Sequence, residues 1–270
     1  MSAAHDTTPS IPRMVARQGD YWWTSYKRTW RGSVVTAFLE PLFYVLAMGV
    51  LLGQYVDGPG GTNDALGVRY LDFVAPGLLA ATAMQFAGTE AMWPVLGALK
   101  WDRTYYSMIA TPLRVRDIVA GHLTSLAVRT LVVCAVFVLV MAPFGVFVSW
   151  TGAVLTIVFA ALTAVAIAAA IYAFSVRIRS ESNFAMVYRL VVFPMFLFSG
   201  AFFPVSNLPD GLEWFARVLP LWHGVELSRM ASLDAWGPAG AVAGHLLYLV
   251  VLLALGVWLG ITGLRRRLVV

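Results

Sequence analysis

Six long apolar runs decide what this chain can become. They lie at about 34–53, 72–93, 118–142, 151–175, 185–203 and 241–263. A hydrocarbon core about 30 Å thick needs about 20 helical residues to cross it, and each run meets that length. The composition agrees: 60% of residues are hydrophobic and only 12% are charged, with a mean hydropathy of +0.76. So few charges cannot cover the surface of a soluble domain of 270 residues. Lipid is the solvent that makes such a composition sensible.

The net charge of +5 does not mark a nucleic-acid binder, because the basic residues form no single patch. Arg13, Arg17, Lys27, Arg28 and Arg31 precede the first run, and Lys100, Arg103, Arg114 and Arg116 separate the second from the third. Arg177 and Arg179 follow the fourth, and Arg265, Arg266 and Arg267 follow the sixth. The other side holds Arg69, Arg217 and Arg229. This bias predicts that both termini are cytoplasmic, as an even number of spans requires. The single cysteine, Cys134, falls inside an apolar run and reads as packing. Residues 1–14 are polar, carry Pro9 and Pro12, and are expected to be a disordered tail rather than a signal peptide.

Three segments outside the runs carry pattern. Trp22, Tyr26 and Trp30 share one stripe at a spacing of four, with Lys27, Arg28 and Arg31 beside it. Two readings fit: a helix lying in the membrane interface, or an aromatic belt leading into the first span. Residues 204–240 hold Pro204, Pro209, Pro220 and Pro238 together with Trp214, Phe215, Leu219, Leu221 and Trp222. That is too broken to span and too apolar for a free loop. It fits either a hairpin dipping into the outer leaflet against protein or a compact outer loop packed on the bundle. Residues 97–108 fit a short amphipathic helix on the cytoplasmic face. It either docks in a partner's groove through Trp101, Tyr105 and Met108, flanked by Asp102 and Arg103, or merely turns the chain.

Charge at membrane depth is costly and faces protein or water. Glu40 lies about 10 Å into the first span at about 1.5 Å per residue, and Pro41 after it disfavours regular helix there. Glu90 lies near the cytoplasmic end of the second span, and Arg129 near the middle of the third. Arg129 is expected to pair with Glu40 or Glu90, either as structure or as a contact for cargo. Arg189 can snorkel to the interface. His122, His223 and His245 have no metal-like spacing, and no HExxH or GxSxG pattern occurs. Gly49/Gly53, Gly240/Gly244 and Gly256/Gly260 match the spacing of close helix approach, a weak signal among 23 glycines. The only lysines are Lys27 and Lys100. Neither follows glycine, so the chain has no P-loop and no nucleotide site of that type.

Several motifs in order carry a resemblance. Glu40-Pro41-Leu42-Phe43-Tyr44 opens the first span. Arg103-Thr104-Tyr105-Tyr106 and Ala110-Thr111-Pro112-Leu113 follow the second. Ser199-Gly200-Ala201-Phe202-Phe203-Pro204, Leu208-Pro209, Leu219-Pro220-Leu221 and Glu226-Leu227-Ser228-Arg229 follow the fifth. From Arg17 onward the chain resembles the ABC-2 type transporter permeases, in the branch of the nodulation-factor (lipo-oligosaccharide) and daunorubicin-resistance exporters.

The resemblance implies an all-α membrane domain over 15–270, with an interfacial helix at 15–31 and reentrant helices within 204–240. It also implies a coupling helix at 97–108, in which Lys100, Trp101, Asp102, Arg103, Thr104, Tyr105 and Met108 meet a P-loop ATP-binding subunit. Two such permease subunits, expected as a homodimer, would pair over two ATPase subunits that bind ATP and Mg. This chain itself would hold no cofactor. The location would be a bacterial inner membrane, and the activity ATP-driven export with no catalysis in this chain. The expected cargo path runs along Phe38, Phe43, Phe193, Phe196, Phe202 and Phe203. Such a wall suits lipids, lipid-linked saccharides or hydrophobic drugs, and each phenylalanine equally suits ordinary packing. The rivals are a gradient-driven secondary transporter, which would bind its ion at midplane charges, a membrane enzyme, for which no reactive cluster is visible, and a structural assembly protein.

Overall fold

The computed structural model describes residues 38–58, 61–63, 66–178 and 180–269. The stripe at Trp22–Trp30 and the N-terminal tail lie outside the described residues. Everything described is helix, turn or coil, with no strand among the described residues. Five helices are long and apolar enough to cross a bilayer. They are α1 (Phe38–Val56), α2 (Tyr70–Trp101), α4 (Val115–Phe144), α5 (Trp150–Ser175) and α9 (Ala239–Leu268). Between them lie α3 (Thr104–Ile109), α6 (Ser182–Phe198), α7 (Asp210–Val218) and α8 (Pro220–Ser232).

The run expected at 185–203 is shorter as a helix. α6 stops at Phe198 because Gly200 takes a left-handed turn, with φ of 77°. At 17 residues, α6 rises about 25 Å. The six-span expectation therefore reduces to five long helices and one short apolar one.

α5 is the central post. It packs on α2, α4, α8 and α9, and its inward positions are small: Ala160, Ala164, Ala168 and Ala169 are fully buried. Small side chains let backbones approach, the main source of helix association where lipid removes the hydrophobic drive. Gly256 of α9 shows how close this is, since a Cβ built there would sit 2.7 Å from the Ala169 carbonyl carbon.

The ends of the bundle are fixed by side chains that cap loose backbone. At one end, Arg69 grips Asp72 through two bonds of 2.8 and 2.7 Å and reaches the Phe144 carbonyl at 3.2 Å. Ser232 bonds the Val146 carbonyl at the same end. At the other, Arg267 caps the carbonyls of Val176 and Ile178 at 3.0 and 2.7 Å, and Lys100 pairs with Glu181 at 2.8 Å. The short segments thus divide: α3 and the start of α6 lie at one end, the segment 199–238 at the other.

Prolines leave a mark on the helices. π-helical turns occupy Val45–Leu52, Gly97–Trp101 and Tyr188–Val192, each a few residues from Pro41, Pro94 or Pro194. A missing N–H and the ring's bulk disturb the ordinary hydrogen-bond ladder, and a widened turn absorbs the misfit. The expectation that Pro41 breaks regular helix at Glu40 is corrected: Glu40 is helical, and the irregularity appears downstream.

Candidate functional site

The end of the bundle that carries α3 is built from a broken helix. α2 runs out through the π turn at Gly97–Trp101 and Asp102 bends away. Arg103 then adopts a left-handed conformation, with φ of 52°, a costly one for a residue with a Cβ. α3 starts immediately after it. The single helix expected over 97–108 is therefore two pieces joined by a sharp corner.

α3 is plugged into the bundle by Tyr105. Its side chain is 1% exposed, so it cannot be the partner-facing anchor that its spacing with Trp101 and Met108 implied. The reason is chemical: a phenol buried among helices can satisfy its hydroxyl. Tyr105 Oη lies 3.2 Å from His122 Nδ1 on α4 and accepts from Tyr172 Oη on α5 at 3.4 Å. The His122 and Tyr172 rings pack 5.2 Å apart. One side chain of a six-residue helix thus grips two membrane helices.

What faces outward here is Trp101, 54% exposed, with Asp102, Arg103 and Tyr106. Thr104 and Met108 are half-buried. Lys100 is held sideways by Glu181, ahead of α6. A cleft of about 320 Å³ lies alongside, lined by Trp93, Pro94, Trp101, Asp102 and Thr104. The surface offers an indole, mixed charges and a recess.

Within the bundle, Glu90 is the carboxylate that meets Arg129, through two bonds of 2.7 Å. Glu40 sits on α1 and takes part in no ion pair among the described residues. Of the six phenylalanines, Phe38, Phe43 and Phe193 are exposed at 49%, 62% and 53%. Phe196 and Phe202 instead pack edge to face, 5.1 Å apart, and Phe203 is half-buried. Three of the six are therefore open on the surfaces of α1 and α6, and two hold the turn after α6 together.

Two features were not foreseen. Arg229 of α8 donates to the Gly200 carbonyl at 2.7 Å and the Phe73 carbonyl at 3.3 Å, and pairs with Glu226 at 2.8 Å. Its guanidinium also lies 3.8 Å from the centre of the Phe73 ring. The Glu226-to-Arg229 motif is thus the clamp that holds the 199–238 segment to α2. A second pair, Tyr188 of α6 with Gln85 of α2 at 3.1 Å, carries no signal in sequence because its partners lie far apart in the chain.

Residues 21–233 match the ABC-2 type transporter family. The chain belongs to that family. It is 32% identical to Nodulation protein J of Sinorhizobium fredii over 250 residues, covering 91% of this chain and 92% of that protein. It is 31% identical to Nodulation protein J of Rhizobium leguminosarum bv. trifolii, covering 90% of each. The Inner membrane transport permease YadH of Escherichia coli is 25% identical over 77% of this chain and 78% of its own length. No solved structure matches. The chain is a multi-pass membrane permease, and two of the motifs quoted from its sequence have a visible part in its fold. Arg103-Thr104-Tyr105 makes the corner and plug, and Gly200 ends α6.

Proposed function

We propose that this permease is the transmembrane subunit of an ATP-driven exporter. Its cargo is amphipathic or hydrophobic: a lipid, a lipid-linked saccharide or a drug. It leaves the cytoplasm or inner leaflet of a bacterial inner membrane. The observation that carries the reading is the α3 plug. A short helix presents Trp101 and charged neighbours outward while Tyr105 ties it to α4 and α5. A push on that surface from outside the membrane would move two membrane helices, which is what a subunit powered by a separate ATPase requires. The chain has no P-loop of its own, so ATP and Mg belong to the partner.

The remaining parts follow from the same reading. Both termini face the cytoplasm, as the arginine bias favours. α7 and α8 form the reentrant outer hairpin. Gly224 of α8 packs against Thr163 midway along α5, and Gly152 near the start of α5 packs against Ala231. α8 therefore runs alongside α5 from its middle to its outer end, at membrane depth but not across the membrane. Two copies pair through α1 and α6, whose exposed Phe38, Phe43, Leu190 and Phe193 form the cargo seam. The nodulation proteins among its relatives favour a lipid-linked saccharide over a small ion.

The test is co-expression with a candidate ATP-binding subunit. Wild-type permease should co-purify with it and change its hydrolysis rate, and a chain with residues 100–108 scrambled should lose both. ATPase capture that survives scrambling, or uphill transport by the permease reconstituted alone, would overturn the reading.

A further inference from the structure

The outward strip of α9 ends on charge. Leu247, Val251, Leu255 and Trp258 are all exposed, and their spacings of four and three set them on one lipid-facing side. Followed along the helix, that side passes Thr262 and reaches Arg265 and Arg266, both exposed. Neither arginine side chain makes a hydrogen bond or an ion pair among the described residues.

A third arginine arrives from the end of α5. Arg177 is exposed and lies across α9, donating to the Leu259 carbonyl at 2.8 Å and back to the Ala173 carbonyl. Gly263 makes the room for it: a Cβ there would stand 3.0 Å from the guanidinium carbon. Leu259, Gly263 and Arg266 are spaced by four and three, so they share one edge of α9. Arg177 lies beside that edge, about one turn from Arg266. Arg267 crosses the other way, to the carbonyls of Val176 and Ile178.

No carboxylate answers these four charges. None of them is in an ion pair among the described residues. Neither α5 nor α9 contains an acidic residue. At the same end of the bundle, Glu181 is taken by Lys100 at 2.8 Å. Asp117 is buried, with Arg116 Nε 3.8 Å away, and Asp102 stands at the corner before α3. A helix C-terminus favours cations, which explains the sign of the charge and leaves it unbalanced.

The surroundings narrow what can balance it. Arg265 lies about 10 Å along the helix from Trp258, with exposed Leu255, Leu259 and Phe174 between that cluster and the middle of the bundle. The planar guanidinium matches a phosphate, and basic pockets between membrane helices take anionic lipid headgroups. A phospholipid has this same order, phosphate at the interface and acyl chain above it. We propose that Arg177, Arg265 and Arg266, with Trp258, Leu259 and Phe174 above them, bind one anionic phospholipid by its phosphate and acyl chain. The site lies on α5 and α9, away from the exposed phenylalanines of α1 and α6, and it stands whether or not the exporter reading does.

Native mass spectrometry of the full chain in one fixed detergent tests it. The probes are dioleoyl phosphatidylglycerol and dioleoyl phosphatidylcholine at equal concentration. Wild type should retain the anionic lipid about tenfold more than the zwitterionic one. Arg265→Gln with Arg266→Gln should lower retention of phosphatidylglycerol about tenfold and leave phosphatidylcholine unchanged. If that double variant does not fold, Arg266→Gln alone serves, with a loss of about threefold. Arg103→Gln removes a charge from the same end of the bundle but from another corner, and should leave the preference intact. A phosphatidylglycerol with a diazirine on its acyl chain should label α9 around Trp258. Equal retention of the two lipids by wild type overturns the site, as does a double variant that keeps the preference. An Arg103→Gln loss as large as that of the arginine variants shows diffuse charge, and also overturns it. So does labelling confined to α1 and α6.

Discussion

Arg129 and Glu90 meet fork to fork, Nη1 on Oε2 and Nη2 on Oε1, both at 2.7 Å. Their side chains retain only 22% and 21% exposure, and the guanidinium also lies over the Phe86 ring at 5.5 Å. Removing one partner takes the bidentate counter-charge from the other at membrane depth. Arg129→Met or Glu90→Leu alone should each cost about 3–5 kcal/mol, whereas the two together should cost far less. Thermal unfolding in one fixed detergent, set out as a double-mutant cycle, checks this. Additive losses would show that the two groups act independently.

Arg229 organises the opposite end, and lysine cannot replace it. A lysine keeps the charge but cannot reach the carbonyls of Gly200 and Phe73 and the Glu226 carboxylate from one planar group. Arg229→Lys should therefore destabilise by about 1–3 kcal/mol, the cost of buried acceptors left bare. The measurement is again the melting temperature, with limited proteolysis at 199–209 as the local readout. A variant as stable and as protected as wild type would refute the clamp.

Tyr105→Phe separates the plug's volume from its hydrogen bonds. The ring still fills the site, so the fold should lose only about 1 kcal/mol. Tyr105→Ala should lose about 3–5 kcal/mol by leaving a cavity. If α3 transmits force, the phenylalanine variant should still capture the ATPase yet weaken the permease's effect on hydrolysis. An unchanged effect would confine the hydroxyl to a structural role.

At α8 and α9, His223 and His245 face each other with Nδ1 atoms 2.7 Å apart. The His223 ring stacks on Tyr248 at 4.0 Å, and Glu226 is the nearby carboxylate. These contacts join α8 to α9, so His223→Ala should cost about 1–3 kcal/mol by removing the stack and the bond together. The melting temperature in one fixed detergent checks this. A variant as stable as wild type would exclude the pair as a support.

Gly256→Ala should cost about 1–3 kcal/mol, because the methyl group meets backbone of α5 that cannot rotate away. Gly244→Ala, with open space around it, should cost little. Equal melting temperatures for the two would contradict the packing described.

These two glycines also show how far the sequence could be read. Both belong to matching spacings, Gly240/Gly244 and Gly256/Gly260, and spacing does not say which helix face meets a neighbour. The long spans are legible because a bilayer imposes length and apolarity together, so α4, α5 and α9 stand within about five residues of their expected limits, while α2 runs on to Trp101, well past the expected 93. α6 was read too long because Phe202 and Phe203 are as apolar as the helix before them. Only the backbone turn at Gly200 ends it. Tyr105 was misjudged for a related reason: periodicity places a side chain on a face, but the chemistry of what covers that face comes from α4 and α5, distant in sequence. Arg129 and Glu90 were foreseen as charges in need of partners, and a charge at depth narrows the possible partners to very few.

The shortness of α6 has a consequence for the membrane around it. A rise of about 25 Å falls below a hydrocarbon core of about 30 Å, and it is flanked by longer helices. The mismatch must be absorbed by local thinning of the lipid, by snorkelling of flanking residues or by packing against protein, at a modest cost for each ångström. If two copies pair through α6 as proposed, the acyl tails beside it would be compressed and the barrier between leaflets thinnest there. A greasy passenger leaving the inner monolayer at that point would have the shortest distance to climb.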